Sequence, residues 1–205
     1  MKDRPWLSQL IIQPIMIVLS ILAALAVNNW QDSRALAKRV AEARAAFANE
    51  IAANRQLLLA DKHLPYHRTL QAEYRKAYEE NLKDPATFFD SGMHPTPLRD
   101  SAWRMLSGTA TLMQLPPEFV LALTDIYQLQ DAIQRRNDGF LTALGAPRSD
   151  RDSPAYTKDL TRSISFFLND LVPAEESLLK LYDHALEKFA TDKVRWVEGR
   201  EKPKD

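Results

Sequence analysis

The chain has 205 residues, 45% of them apolar, with 5 glycines and no cysteine, and its 27 basic residues balance 27 acidic ones. That balance argues against a nucleic-acid surface, and the missing cysteines exclude disulfides, thiolate metal sites and cysteine nucleophiles. The length suits one ordinary domain plus an anchor, and no convincing strand-type alternation appears, so the expected fold class is all-α.

Between Arg4 and Asp32 no side chain is charged. The run "LIIQPIMIVLSILAALAV" approaches the roughly 20 residues that cross a bilayer. Trp6 and Trp30 bracket it, 24 positions apart. On a helix that is about 36 Å, which sets both indoles in the headgroup belts. Pro14, Gln9 and Gln13 lie in the first third of the segment, where a proline is tolerated and the amides reach the interface or a partner helix. Residues 1–32 therefore read as a transmembrane anchor with Asn28, Asn29 and Trp30 at its exit. Two alternatives stand beside this one. A signal peptide cut at the A-x-A site ending in Ala26 would release a secreted bundle, and a soluble core would bury the segment on all sides. Lys2 and Arg4 precede the span while Arg34, Lys38, Arg39 and Arg44 follow it, a count that slightly favours a cytoplasmic C-terminal portion.

Residues 33–84 read as one long stalk helix. Leu36, Val40, Phe47, Ile51 and Leu58 recur at steps of 4, 7, 4 and 7, close to a straight stripe. Nine alanines between Ala35 and Ala53 permit close approach of a second helix. Pro65 places a kink or break near 61–65, after which Leu70, Tyr74, Tyr78 and Leu82 resume the stripe. Residues 85–95, rich in Pro and turn residues, form a linker.

Residues 96–198 form the expected bundle. Thr96-Pro97 reads as a helix start and Ser107-Gly108 as its stop, around Trp103 and Leu106. Pro116-Pro117-Glu118 opens a longer helix. In it Phe119, Ile126, Ile133 and Phe140 recur every seventh residue beside a row of Leu123, Gln130, Asn137 and Leu144. Gln130 and Asn137 read as register-fixing polar breaks, with a ligand cavity as the alternative. Ser153-Pro154 starts the last helix, whose seam is Leu160, Ile164, Phe167, Leu171, Ala174, Leu178, Leu181 and Ala185, with Pro173 as a kink. Its short connection to the preceding helix makes the two antiparallel, in a bundle of about four helices. Residues 199–205 are a charged tail.

Few chemical constellations emerge. His63 and His67 share a helix face at metal-pair spacing, but Pro65 lies between them and no HExxH-type base accompanies them, so they are the only metal candidates and read first as packed residues. His184 reads as a surface or interface residue. Glu79-Glu80 and Glu175-Glu176 are adjacent pairs that point about 100° apart on a helix and so read as solvated faces. Asp150 and Asp152 resemble a calcium loop by composition alone. No nucleophile elbow, P-loop or dinucleotide motif is present.

The stretch "ILAALAVNNWQDSR" resembles the membrane exit of a family of uncharacterised bacterial single-pass proteins, in which a short N-terminal span ends in an Asn-Trp pair and runs on into a charged helix. Asn28, Asn29 and Trp30 carry that motif. "AWRMLSGTATLMQLPPEFVLALTDIYQLQ" is similar to the same group, where a Trp helix and a Tyr-containing helix recur. The resemblance implies an N-inside orientation, hence a periplasmic bundle on the bacterial inner membrane, and brings no known activity or catalytic residue. The expected function is a non-catalytic, cofactor-free anchored module for interaction, sensing or scaffolding. Its partners would be the lipid bilayer and either a second copy of the chain or another membrane protein. The alternative is a metal-assisted hydrolase using His63 and His67.

Overall fold

A computed structural model describes residues 5–80, 92–146 and 154–198, with side chains for 15–80, 92–146 and 155–191. Among the described residues there are six helices and no strand: α1 Pro5–Leu59, α2 Leu64–Glu79, α3 Ser101–Leu106, α4 Ala110–Met113, α5 Pro117–Gly145 and α6 Pro154–Glu198.

Pro14 does not interrupt α1, which runs unbroken from the apolar segment into the bundle. Met16, Ile17, Val18, Leu19, Leu22 and Leu25 each leave more than half of their surface exposed, and none of this stretch is buried in the protein. No described residue surrounds the segment, which is the opposite of what the soluble-core alternative expects. The segment is long and apolar enough to cross a membrane. At its exit the Ser33 hydroxyl donates to the Asn29 carbonyl (2.7 Å) and the Asn28 amide to Asp32 (3.4 Å). The Arg34 guanidinium lies 4.1 Å from the centre of the Trp30 ring. These contacts, each within one helical turn, carry the helix through the polarity change. Among the described side chains Ala43 is the first buried residue of α1, about 20 Å beyond Trp30 at 1.5 Å per residue, with Val40 just before it partly packed on the core, so a mostly exposed stalk separates the apolar segment from the bundle.

Pro65 sets the break that follows. It has no N–H for the Asp61 carbonyl and fits best in a first turn; accordingly α1 stops at Leu59, residues 60–63 turn, and Pro65 enters the first turn of α2. Phe47, Ile51, Leu58, Leu64, Leu70 and Tyr74 are all fully buried. The stripe fades at its ends, since Leu36 and Tyr78 are exposed and Leu82 lies outside the described residues.

α6 runs antiparallel to α1 and α2, as the pairs Arg55–Asp183, Arg68–Glu176 and Gln71–Asn169 show. It is also antiparallel to α5, with Phe119 against Phe189 (5.2 Å between centroids) and Phe140 stacked on Phe167 (4.0 Å). Ile164, Phe167, Leu171, Leu178 and Ala185 are buried as the seam requires, as are Phe119, Ile126 and Ile133 on α5. Leu160, Leu181 and Phe140 are partly buried against that core, and beside Leu181 it is Tyr182 that is fully enclosed. α6 passes through Pro173 without ending.

The fourth column is not one helix. Descending along α1, it consists of an irregular strap (residues 92–100), then α3, a turn at Gly108 (φ +82°) and α4. The expected helix start at Thr96-Pro97 is thus displaced to Ser101. Pro95 and Pro97 remove two donors and hold His94 and Thr96 extended, and the Thr96 hydroxyl is occupied elsewhere, as described below. Residues 81–91 and 147–153, including Asp150 and Asp152, lie outside the described residues, as does the tail 199–205.

Candidate functional site

The strap is half-buried, with Thr96 enclosed, and without regular structure its backbone groups turn to side chains or water. Around the strap, side chains from four helices supply partners at two stations. At the upper one, the Tyr66 hydroxyl donates to the Gly92 carbonyl (2.6 Å), where Gly92 sits at φ +67°, a conformation natural to glycine. His67 Nε2 lies 3.0 Å from the His94 carbonyl and its Nδ1 2.8 Å from Glu175 Oε2. The Thr96 hydroxyl donates to Glu175 Oε1 at 3.2 Å. A carbonyl only accepts, so Nε2 carries a hydrogen; the contact to Glu175 then needs one more proton, held by ring or acid. Both side chains are wholly sealed from solvent.

At the lower station Asn54 clamps the backbone of Arg99 from both sides: its Nδ2 donates to the Arg99 carbonyl (2.7 Å) and its Oδ1 accepts from the Arg99 N–H (2.8 Å). Gln130 Nε2 donates to the same carbonyl at 3.0 Å. Glu50 then caps α3 from another helix. Its Oε2 accepts from the Ser101 hydroxyl (2.6 Å) and the Ala102 N–H (2.9 Å), and its Oε1 from the Tyr127 hydroxyl (2.7 Å). Asp100, at the N-cap position, makes no cap bond and pairs with Arg104 instead. A carboxylate at a helix N-terminus is favourable to the orphan N–H groups and the helix dipole.

Burial first, and the Glu50 carboxylate after it, push the Tyr127 hydroxyl far above its ordinary range; burial does the same to Tyr182. The unfolded chain releases these protons near pH ~10 and the folded chain does not. Their contribution to stability is therefore full below about pH 10 and lost as pH rises beyond it. The expected outcome is an alkaline unfolding limb that is shallower in Tyr127→Phe. An equal slope in both proteins would count against it.

The histidines flagged by spacing do converge, but on an acceptor. His63 Nδ1 lies 3.4 Å from the same His94 carbonyl that His67 meets. Among the described residues no group of three or more metal-ligating side chains assembles. Glu175 corrects the expectation of a solvated pair: it is fully buried, while its neighbour Glu176 stays near the surface with Arg68. Glu79, Glu80 and His184 are exposed.

Gln130 and Asn137 part company. Gln130 sits at the edge of a half-open cavity of about 610 Å³ between α3 and α5, together with Trp103, Tyr127, Asp100, Asp131 and Gln134. Trp103 stacks on Tyr127 at 5.0 Å. Asn137 is fully buried and neither amide atom has a partner among the described residues. Asn137→Leu is expected to raise stability by about 1–2 kcal/mol, since an unpaired amide is removed at similar volume. A lower urea midpoint would show that Asn137 has a partner in solution.

Apolar segment, stalk and strapped bundle define an all-helical protein whose long N-terminal helix is apolar enough to cross a membrane. Compared with known protein families, curated proteins and solved structures, the chain matches none.

Proposed function

We propose that this is a single-pass protein of a bacterial inner membrane, related to the single-pass group that its Asn-Trp exit resembles. In this reading it holds its bundle on the periplasmic side and works by contact with a partner rather than by catalysis. The observation that carries the proposal is the continuity of α1, which passes from the apolar segment through a mostly exposed stalk to the buried residues Phe47, Ile51 and Leu58 without a joint. A helix so built transmits position or orientation between bilayer and bundle. The polar side chains at the two stations support the same reading, because they are used to hold the chain itself. A second copy of the chain, packed along the outer Ala-rich side of the stalk, is the partner of choice.

The test is a reporter fused after Asp205 combined with carbonate washing of native membranes. The expected result is a protein retained by the membrane with a reporter active in the periplasm. Release by carbonate, or a mature chain beginning at Val27, would overturn the anchor. A reporter active only in the cytoplasm would overturn the orientation.

A further inference from the structure

The two proline-weakened places in the bundle lie near one another. In the α1–α2 column the interruption is at 60–63, ahead of Pro65. In α6, Pro173 takes away the bond that would reach the Asn169 carbonyl. The antiparallel pairing sets His67 against Glu175 and Gln71 against Asn169, so these places fall within about three helical turns of each other. The His67–Glu175 contact lies between them. On α5 the same region holds Asn137, whose buried amide contributes no bond across the interface among the described residues. Each long column is therefore weakened in one zone.

The strap crosses this zone. Its upper half is bonded to Tyr66 and His67 of α2 and to Glu175 of α6. Its lower end is bonded at Arg99 to Asn54 of α1 and Gln130 of α5, and α3, which continues it, is capped by Glu50 of α1. The lower station holds by five hydrogen bonds spread over three side chains, whereas the upper one depends on Tyr66, on the His67–Glu175–Thr96 cluster and on the longer His63–His94 contact (3.4 Å). Leu98, between the stations, and Asp100, within the lower one, belong to the wall of the cavity beside Trp103.

We propose that the strap is a releasable splint across a hinge that divides the bundle into a membrane-proximal and a membrane-distal half. With the His67–Glu175–Thr96 cluster closed, α1 and α2 move as one lever. When it opens, the distal half, α2 with the N-terminal part of α6, turns at residues 60–63 and near Pro173. The lower station stays attached to α1, and the motion reaches the cavity wall through Leu98. The proposed function gives this hinge its purpose, but the hinge itself is a property of the bundle and is tested apart from the anchor.

The experiment uses full-length protein in lipid nanodiscs carrying pairs of spin labels at exposed positions. One pair, Asn49 with Arg75, spans the hinge; a second, Asn49 with Glu187, lies within the proximal half. The unmodified cluster is expected to give narrow distance distributions for both. Thr96→Val, which removes only a strap bond, and Glu175→Gln are expected to broaden or shift the first distribution and leave the second unchanged. An unchanged 49–75 distribution in both variants overturns the proposal. So does equal broadening of both pairs in Thr96→Val, because the halves then do not move independently. Failure of the membrane anchor would instead appear in the carbonate wash, with these distances unaffected.

Discussion

Replacing Glu175 by alanine is expected to lower the unfolding free energy by about 2–5 kcal/mol, because two fully buried polar groups lose their partner at roughly 1–3 kcal/mol each. His67 Nδ1 and the Thr96 hydroxyl both lose their partner, and neither has solvent to turn to. The neighbouring change Glu176→Ala removes a surface pair with Arg68, whose two side chains are 53% and 39% exposed, and should cost at most about 1 kcal/mol. Urea unfolding of the detergent-solubilised protein measures both. Equal midpoints for the two variants would show that the His67–Glu175 contact holds nothing in place.

Glu50→Ala should come next in size, at about 3 kcal/mol, because three donors lose one charged acceptor. The Ser101 hydroxyl and Ala102 N–H are left at the start of α3, and the Tyr127 hydroxyl at the α1–α5 contact. The loss has a local signature. Amide hydrogen exchange at Ala102 and Arg99 should accelerate while amides of α6 near Leu178 and Tyr182 remain protected up to global unfolding. Unaltered exchange at Ala102 would mean that the cap is not made by Glu50.

Much of the architecture was legible because it follows from period and punctuation. Phe47, Ile51 and Leu58 mark the core side of α1, Pro65 its end, and the alternating steps from Leu160 to Ala185 the seam of α6. The strap was not legible. Thr96-Pro97 has the chemistry of a helix start, and only the distant Glu175 and Asn54, 79 and 45 residues away in sequence, divert it. A weaker signal was present, since Glu50 and Asn54 fall on the apolar stripe of α1, and Glu175 lies four residues after Leu171 and three before Leu178. Polar residues at core positions mark buried partners, but the sequence does not reveal which partners they meet. The spacing of His63 and His67 was informative about position, since both meet the carbonyl of His94, an acceptor that spacing alone does not reveal.

The account stands or falls with α1 as one helix from lipid to core. A nitroxide placed at each position from Ile15 to Ala43 of the liposome-reconstituted protein, probed with oxygen and a water-soluble relaxant, tests this directly. The expected profile is oxygen-rich and water-poor up to Val27, with the crossover near Trp30. Beyond it the water-exposed signal keeps a 3.6-residue period without a phase break as far as Ala43. Water access throughout Ile15–Val27, or a lost period between Asn28 and Leu36, would contradict it.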